Sequence, residues 1–443
     1  MILLLTLTLL AVQTASELSD ADRLVPPDTV ELGALRAAAA ARDPRALQPE
    51  ILERATRLRL ANLRSERLPQ LAVSGQATWQ SDVPSVPIVA PDGSSLSAPR
   101  EQGRIQVEAD WALYDGGRTA RRAEVERARL AEQTSGVAVT LHALREATTE
   151  AFFGALLYQA QAQTLALAVE DLDAQLTLTR RRAEEGAALA ADAAAVEAEL
   201  IRLNQRLDEA EADCRAALAV LEDLTGVGLG PETALRLPSL AVDADSNLVV
   251  EESGRPEFQR FASTRARAEA EARLAASAAL PTLSVFGQAG LGRPSPFDFL
   301  SDEVKEYSLV GVRARWGWDW GRSRREAEAA RLQSDIARTE ADAFARTLLR
   351  ETETYRADLD RLDAALVDDA RAIVLREEVA RVAQRRLDEG VLLAPDYVDA
   401  VTDLAEARLV AARHRIERVR AQTLLRSTLG TYPDLPSAAA ITD

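Results

Sequence analysis

Three stretches of the chain alternate between apolar and polar positions. After Pro69, apolar Leu71, Val73, Ala77 and Trp79 alternate with Ala72, Ser74, Gln76, Thr78 and Gln80. Ahead of Gly116, Ile105, Val107, Ala109, Trp111 and Leu113 alternate with Gln106, Glu108 and Asp110. In the second half Val312, Ala314, Trp316 and Trp318 alternate with Arg313 and Arg315. A period of two predicts strands with one apolar and one polar face. Strands of about ten residues with Trp near their ends suit the lipid-facing wall of a membrane barrel. Periodicity alone fits a half-buried soluble hairpin equally well.

Elsewhere the pattern is helical. No Pro occurs between Pro99 and Pro231 or between Pro296 and Pro395. A helix interior would lose about 3 kcal/mol to each Pro, so these windows hold the long helices. Residues 118–185 read as one uninterrupted block, roughly 100 Å of helix at about 1.5 Å per residue. The following segment carries Leu200, Leu203, Leu207, Ala210, Cys214, Ala217, Leu221 and Leu224. That spacing of three and four is the signature of coiled-coil packing. Gly186 and Gly390 stand where each long helix must reverse, and Gly226 and Gly430 where each return helix stops.

The chain also repeats itself. Leu68-Pro69-Gln70-Leu71-Ala72-Val73-Ser74-Gly75-Gln76-Ala77 matches Leu280-Pro281-Thr282-Leu283-Ser284-Val285-Phe286-Gly287-Gln288-Ala289, an offset of 212, which also pairs Pro44 with Pro256. Val107, Ala109 and Trp111 match Val312, Ala314 and Trp316 at 205, and from Arg118, matching Arg322, the offset is 204. Arg181-Arg182, Glu185-Gly186 and Gly226 then pair with Arg385-Arg386, Glu389-Gly390 and Gly430 without a gap. Each half therefore reads helix, strand, variable loop, strand, long helix, tight turn, helix. The expected segments are a first repeat at 31–226, a connector at 227–255, a second repeat at 256–430 and a tail at 431–443. The variable loops are 81–104 and 293–306.

Composition narrows the function. The formal net charge of −17 disfavours nucleic acid, which phosphate would repel, and suits a passage that favours cations. One cysteine, Cys214, forms no intramolecular disulfide and reads as a small core residue. His142 and His414 stand alone on helices and are expected to be inert. With so few His and Cys no metal site is expected. Ile2 to Val12 is almost wholly apolar but too short to cross a bilayer as a helix. It reads as the core of a secretory leader, residues 1–16, with a buried N-terminal helix as the other reading. No basic residue precedes it, and no Cys follows it to carry a lipid anchor. No phosphate loop with Lys, no His-Glu-x-x-His and no triad is present, so no catalytic residue and no cofactor are expected. If the chain spans a membrane it does so by strands. Four strands cannot close a barrel, so it must then associate with copies of itself.

The opening Leu68-Pro69-Gln70-Leu71, the Leu113-Tyr114-Asp115-Gly116-Gly117-Arg118 turn with its counterpart Trp318-Asp319-Trp320-Gly321-Arg322, the Glu-Gly reversals and the duplication resemble the TolC-type outer-membrane efflux proteins over about residues 31–430. The resemblance implies a mostly α protomer with membrane β: a homotrimer forming a twelve-stranded β-barrel in outer-membrane lipid, continued by a long periplasmic α-helical barrel. It implies an exit channel of a tripartite efflux or type I secretion system. The channel would dock a periplasmic adaptor (membrane fusion protein) that leads to an inner-membrane pump or ABC exporter. Glu185, Gly186, Glu389 and Gly390 would form the adaptor-docking turns. Asp396 and Asp399, with Asp192 in the first half, would form the periplasmic constriction. For Asp396 and Asp399, capping of the helix that Pro395 starts is an equally valid reading, and both roles can hold together. The sequence departs from the family at Leu387 and Leu392, where a polar or charged gate residue is usual, and at Ala191, which replaces a hydroxyl. The competing reading is a soluble periplasmic coiled-coil structural or adaptor protein, which accounts for the helices but not for duplicated amphipathic strands.

Overall fold

The computed structural model describes residues 29–83, 85–89, 95–239, 254–298 and 302–431. The expected leader at 1–16, connector residues 240–253 and the tail beyond residue 431 lie outside the described residues. In chain order the elements are β1 (Thr29–Val30), α1 (Leu32–Arg42), a 3-10 turn (Pro44–Leu47), α2 (Gln48–Ser65), β2 (Gln70–Trp79), β3 (Ser85–Val89), β4 (Ser95–Ser97), β5 (Glu101–Tyr114), α3 (Arg118–Glu184), α4 (Ala190–Thr225), β6 (Ala234–Leu235), α5 (Pro256–Ser277), β7 (Thr282–Arg293), β8 (Lys305–Arg315), α6 (Arg322–Asp388) and α7 (Ala394–Thr428). The two long helices, α3 and α6, are each 67 residues long. The chain divides into two compact units, one of Met1–Ala46, Val137–Phe258 and Asp342–Asp443, the other of Leu47–Gly136 and Gln259–Ala341.

The second unit holds a four-stranded antiparallel sheet in the order β2-β5-β7-β8. Its strands obey the expected period of two, and its register runs without a break from Gln70 opposite Asp110 to Trp79 opposite Glu101. Two details correct the sequence reading. The loop expected at 81–104 contains the small β3–β4 hairpin and the first residues of β5. And β8 stops at Arg315, so Trp316 and Trp318 lie beyond the strand. The β5–β7 register shifts between Ala112 and Tyr114. That bulge holds one extra residue in the first half, which is why the repeat offset falls from 205 to 204 there.

The repeat is also written in hydrogen bonds. Trp111 Nε1 donates to Arg67 O at 2.9 Å, and Trp316 Nε1 to Ala279 O at 3.1 Å, each reaching the chain just past the preceding helix. Asp115 starts α3 by accepting from Gly117 N (2.9 Å) and Thr119 N (2.7 Å), and Asp319 starts α6 by accepting from Gly321 N (3.0 Å) and Ser323 N (2.9 Å). At Asp115 burial opposes ionisation, but the bonds from Thr119 and Gly117 win and lower its pKa; at Asp319 the Ser323 bonds lead the same shift. The halves differ at the next residue, where Gly116 (φ +70°) faces Trp320 (φ +53°), the only described non-glycine residue at positive φ.

The first unit is built on packed helices. Its main core gathers Leu35, Phe152, Phe153, Cys214, Leu218, Leu221 and Ile416, with Phe152 and Phe153 edge to face at 5.5 Å. The β1–β6 pair, which periodicity did not reveal, brings Val30 and Leu235 into this core. Val227 and Leu229 join it, so residues 227–239 of the expected connector are structural rather than a tether.

The histidines are not isolated, contrary to the sequence reading. His414 Nδ1 lies 2.7 Å from Asp369 Oδ2. His142 is buried, with Nε2 at 3.1 Å from Glu146 Oε1 and 4.0 Å from Glu257 Oε1. Buried Arg255 joins the same cluster: it donates to Ser427 O (3.0 Å), Glu146 Oε1 (3.3 Å) and both Glu257 oxygens (3.1 Å each), and its guanidinium lies 5.7 Å from the centre of the Phe344 ring. Replacing Arg255 by Ala strands two carboxylates, one of them largely buried. It is expected to cost about 3–5 kcal/mol in thermal unfolding. Unchanged melting would mean that the cluster holds nothing together.

The same cluster sets an acid limit. Burial opposes ionisation of Glu146, but the bond from His142, the charges of His142 and Arg255 and the Ser427 hydroxyl outweigh it. They lower the carboxyl from its ordinary 4.5 to about 2. A carboxyl depressed in the folded state stabilises fully above its unfolded pKa and loses that contribution as pH falls through the folded one. Stability is therefore expected to decline from pH 4.5 to about 2, and Glu146→Gln to flatten that part of the melting profile.

Candidate channel entrance and membrane face

The reversals that follow α3 and α6 share one geometry. Ala187 N donates to Arg182 O (2.7 Å) and Gly186 N to Ala183 O (3.1 Å), while Val391 N donates to Arg386 O (2.9 Å) and Gly390 N to Leu387 O (3.1 Å). This double closure needs a left-handed residue, and Gly186 and Gly390 supply it at φ +74° and +69°. Glu185 and Glu389 are exposed immediately before them. The two turns are tied directly, since Arg182 donates from Nη2 to Asp388 Oδ1 at 2.9 Å and from Nη1 to Leu387 O at 3.3 Å. Sequence reasoning matched Arg182 to Arg386 but had no means of pairing it with Asp388.

The three candidate acids divide by environment. Asp192 and Asp396 are both the third residue of their helices, α4 and α7. Asp192 caps: Leu189 N donates to its Oδ2 at 3.1 Å. α7 has no side-chain cap; its Asp396 is exposed and lines a cleft of about 330 Å³ with Glu378, Arg386 and Leu392. Asp399 is exposed as well, but it acts on Arg202 of α4. The Arg202 pKa is raised first by its hydrogen bond to Glu199 (Nε to Oε2, 2.8 Å) and further by the charge of Asp399. Arg202 has no signal in the sequence that would attach it to this site.

Leu387 and Leu392, the departures from the family pattern, are partly buried against Ala383, Tyr397, Ala400 and Val401. Behind them Tyr397 Oη donates to Gln384 Oε1 (3.0 Å), and Gln384 Nε2 to Gln175 Oε1 (3.2 Å). Burial, then the charges of Asp171 and Asp388, raise the Tyr397 phenol. Apolar packing and a neutral hydrogen-bonded chain thus join α3, α6 and α7 near the reversals. Among the described residues no group of three or more His, Cys, Asp or Glu is placed to hold a metal ion.

The sheet presents two chemically distinct faces. One carries Leu71, Val73, Ile105, Val310 and Val312, each at least 64% exposed, a patch that water would penalise. The other carries Tyr307, whose Oη donates to Gln106 Oε1 at 2.6 Å, and Glu108, which accepts from Gln106 Nε2 and, at 3.4 Å, from Gln288 Nε2. There Arg313 sits 4.4 Å from the centre of the Phe286 ring and 3.6 Å from Asp110. On the apolar face Trp79 lies opposite Glu101, and Trp111 lies ten residues further along β5. Ten residues span about 33 Å, or about 25 Å across a bilayer at a tilt near 40°, the height of an outer-membrane barrel's apolar band. Among the described residues no helix is long and apolar enough to cross a membrane.

No protein-family model matches the sequence, and no curated protein matches it. Solved structures do. The outer membrane protein VceC from Vibrio cholerae matches with a TM-score of 0.69 at 14% identity, over 90% of this chain and 96% of that one. The outer-membrane channel OprN matches at 0.69 and 18% identity over 91% of each chain. The open state of the Neisseria gonorrhoeae MtrE outer membrane channel matches at 0.65 and 16% identity, over 90% of this chain and 89% of that one. The chain has the fold of outer-membrane channel proteins.

Proposed function

We propose that the chain is one protomer of a trimeric outer-membrane channel, the passive exit duct of an efflux or type I secretion assembly. The observation that carries this reading is the four-stranded sheet with one exposed apolar face banded by Trp and one hydrogen-bonded polar face. A soluble coiled-coil protein would leave that face in water, and an open sheet edge is not tolerated in lipid. The strands alternate in direction, so β8 of one copy can pair antiparallel with β2 of the next and close a ring. Three copies give twelve strands. The apolar face then meets lipid, the polar face lines the pore, and the connections between β2 and β5 and between β7 and β8, within the expected loops 81–104 and 293–306, face the cell exterior. Native mass spectrometry in mild detergent, followed by bilayer recording, tests the proposal. A conducting trimer is expected; a stable, non-conducting monomer would sink it.

The reversals would then form the periplasmic mouth, with Glu185, Gly186, Glu389 and Gly390 presented to a periplasmic adaptor that leads to an inner-membrane pump or ABC exporter. The Arg182–Asp388 tie supports a docking surface that uses both turns of a protomer together. Cysteines placed at Ala188 and Leu392 are expected to crosslink to the adaptor in cells. Crosslinks only from residues 227–255 would move docking elsewhere. The acids Asp192, Asp396 and Asp399 would narrow the same mouth.

A further inference from the structure

We infer that the outer end of the apolar sheet face is a groove that holds one acyl chain of a bilayer lipid in each protomer, an inference that rests on the lipid-facing reading of this face. Its floor is set by register. Gly75 stands opposite Ile105 and Ala77 opposite Gly103, and across β5 Gly103 meets Arg293 and Ile105 meets Leu291. Three small residues, Gly75, Ala77 and Gly103, therefore lie side by side, bordered by Trp79, Val73, Ile105 and Leu291. A Cβ added at Gly103 would meet nothing within 4 Å. Trp79 stands above this gap, and Ile105 and Leu291 below it. The resulting hollow measures about 900 Å³, within the roughly 300–1,000 Å³ of ordinary ligand sites.

The occupant follows from what the groove lacks. Its floor is strand backbone whose donors and acceptors point in the plane of the sheet, into the β2–β5 and β5–β7 ladders or outward along the β2 edge, so the floor itself offers a peptide no partner. A neighbouring copy would pair with the edge of β2 in the plane of the sheet, which extends the face without covering it. Toward the sheet centre the hollow is continuous with the row Val73, Val107 and Ala289, so a hydrocarbon chain lying on the face can enter without crossing polar groups. At the outer end sit the Trp79 indole, a group that favours the headgroup level, Glu101 directly opposite it, and Arg293, held by Asp302 at 2.9 Å, so both signs of charge stand at the headgroup level. An acyl chain with its headgroup at the Trp79 end matches all of these features.

The test is native mass spectrometry of the oligomer extracted from membranes in mild detergent. The parent is expected to retain up to three lipids per trimer. Gly103→Leu, and independently Ala77→Leu from the opposing strand, should lower that occupancy at least tenfold, whereas Ala314→Leu, on the same face but outside the hollow and its entry row, should not. A second readout uses a variant with Trp79 as its sole Trp, in vesicles of brominated phosphatidylcholine. Quenching should be strong with Gly103 and weaker with Gly103→Leu. Unchanged lipid counts in both filling variants, equal loss in Ala314→Leu, or bound detergent alone would overturn the groove. Failure of the parent to insert into vesicles would instead overturn the lipid-facing reading.

Discussion

An arginine at Val107 is expected to keep the chain out of the membrane. Val107 lies midway along β5, between Val73 on β2 and Ala289 on β7, in the centre of the apolar band. It is 47% exposed in the isolated chain, so Arg would fit sterically and only its solvation would change. On the lipid face of a barrel an Arg at the bilayer midplane costs about 2–4 kcal/mol, and a trimer carries the substitution three times, about 6–12 kcal/mol in all. That sum is comparable to the whole stability of an ordinary domain. The control is Ser74→Arg, one residue along from Val73 on the opposite face, where the side chain would enter a water-filled lumen. Heat-modifiable migration of the outer-membrane fraction reads both variants. Loss of the folded band in Val107→Arg alone is the expected outcome; equal insertion of the two variants would mean that this face does not meet lipid.

The two variants differ because a one-residue step changes faces, and that same property made the sheet legible in advance. Alternation from Leu71 to Trp79, from Ile105 to Leu113 and from Val312 onward placed three of the four strands, and the repeat supplied the fourth. The helix lengths were readable because Pro is excluded from interiors and Gly marks left-handed turns: Gly186 and Gly390 both proved to close helices. What stayed hidden was pairing between distant residues. Arg255 meets Glu146 and Ser427 from 109 and 172 positions away. No local period encodes such contacts. The β1–β6 pair is too short to show a period at all, and the end of β8 was misplaced because Trp316 and Trp318 continue the alternation after the ladder has stopped. At the candidate entrance the family resemblance gave the acids, but the basic residues that answer them, Arg386 and Arg202, come from other helices.

Those bases rank the acids, and the ranking is expected in single-channel conductance with a trivalent cation added at the helix-reversal side. Asp396 and Asp399 are three residues apart, and three copies would place six carboxylates around one opening, a field that attracts multivalent cations. Replacing both by Ala is expected to raise the half-blocking concentration by about 10²-fold, a loss of roughly 2.7 kcal/mol of binding. The single variants should not be equal. Asp399 already spends part of its field on Arg202, whereas Asp396 lies in the cleft with one base, Arg386, and a second acid, Glu378. Asp396→Ala should therefore weaken block more than Asp399→Ala. Arg202→Ala should strengthen block in the parent, since it releases the field of Glu199 and of Asp399, and should strengthen it less once Asp399 is gone. All of these differences should shrink as salt rises from 0.1 to 1 M, since the screening length falls from about 10 to about 3 Å. Asp192, whose carboxylate is engaged by Leu189 N, should lose helix stability on replacement by Ala and change block little. Block that is indifferent to Asp396→Ala would assign that acid to the helix terminus alone and place the constriction elsewhere along the pore.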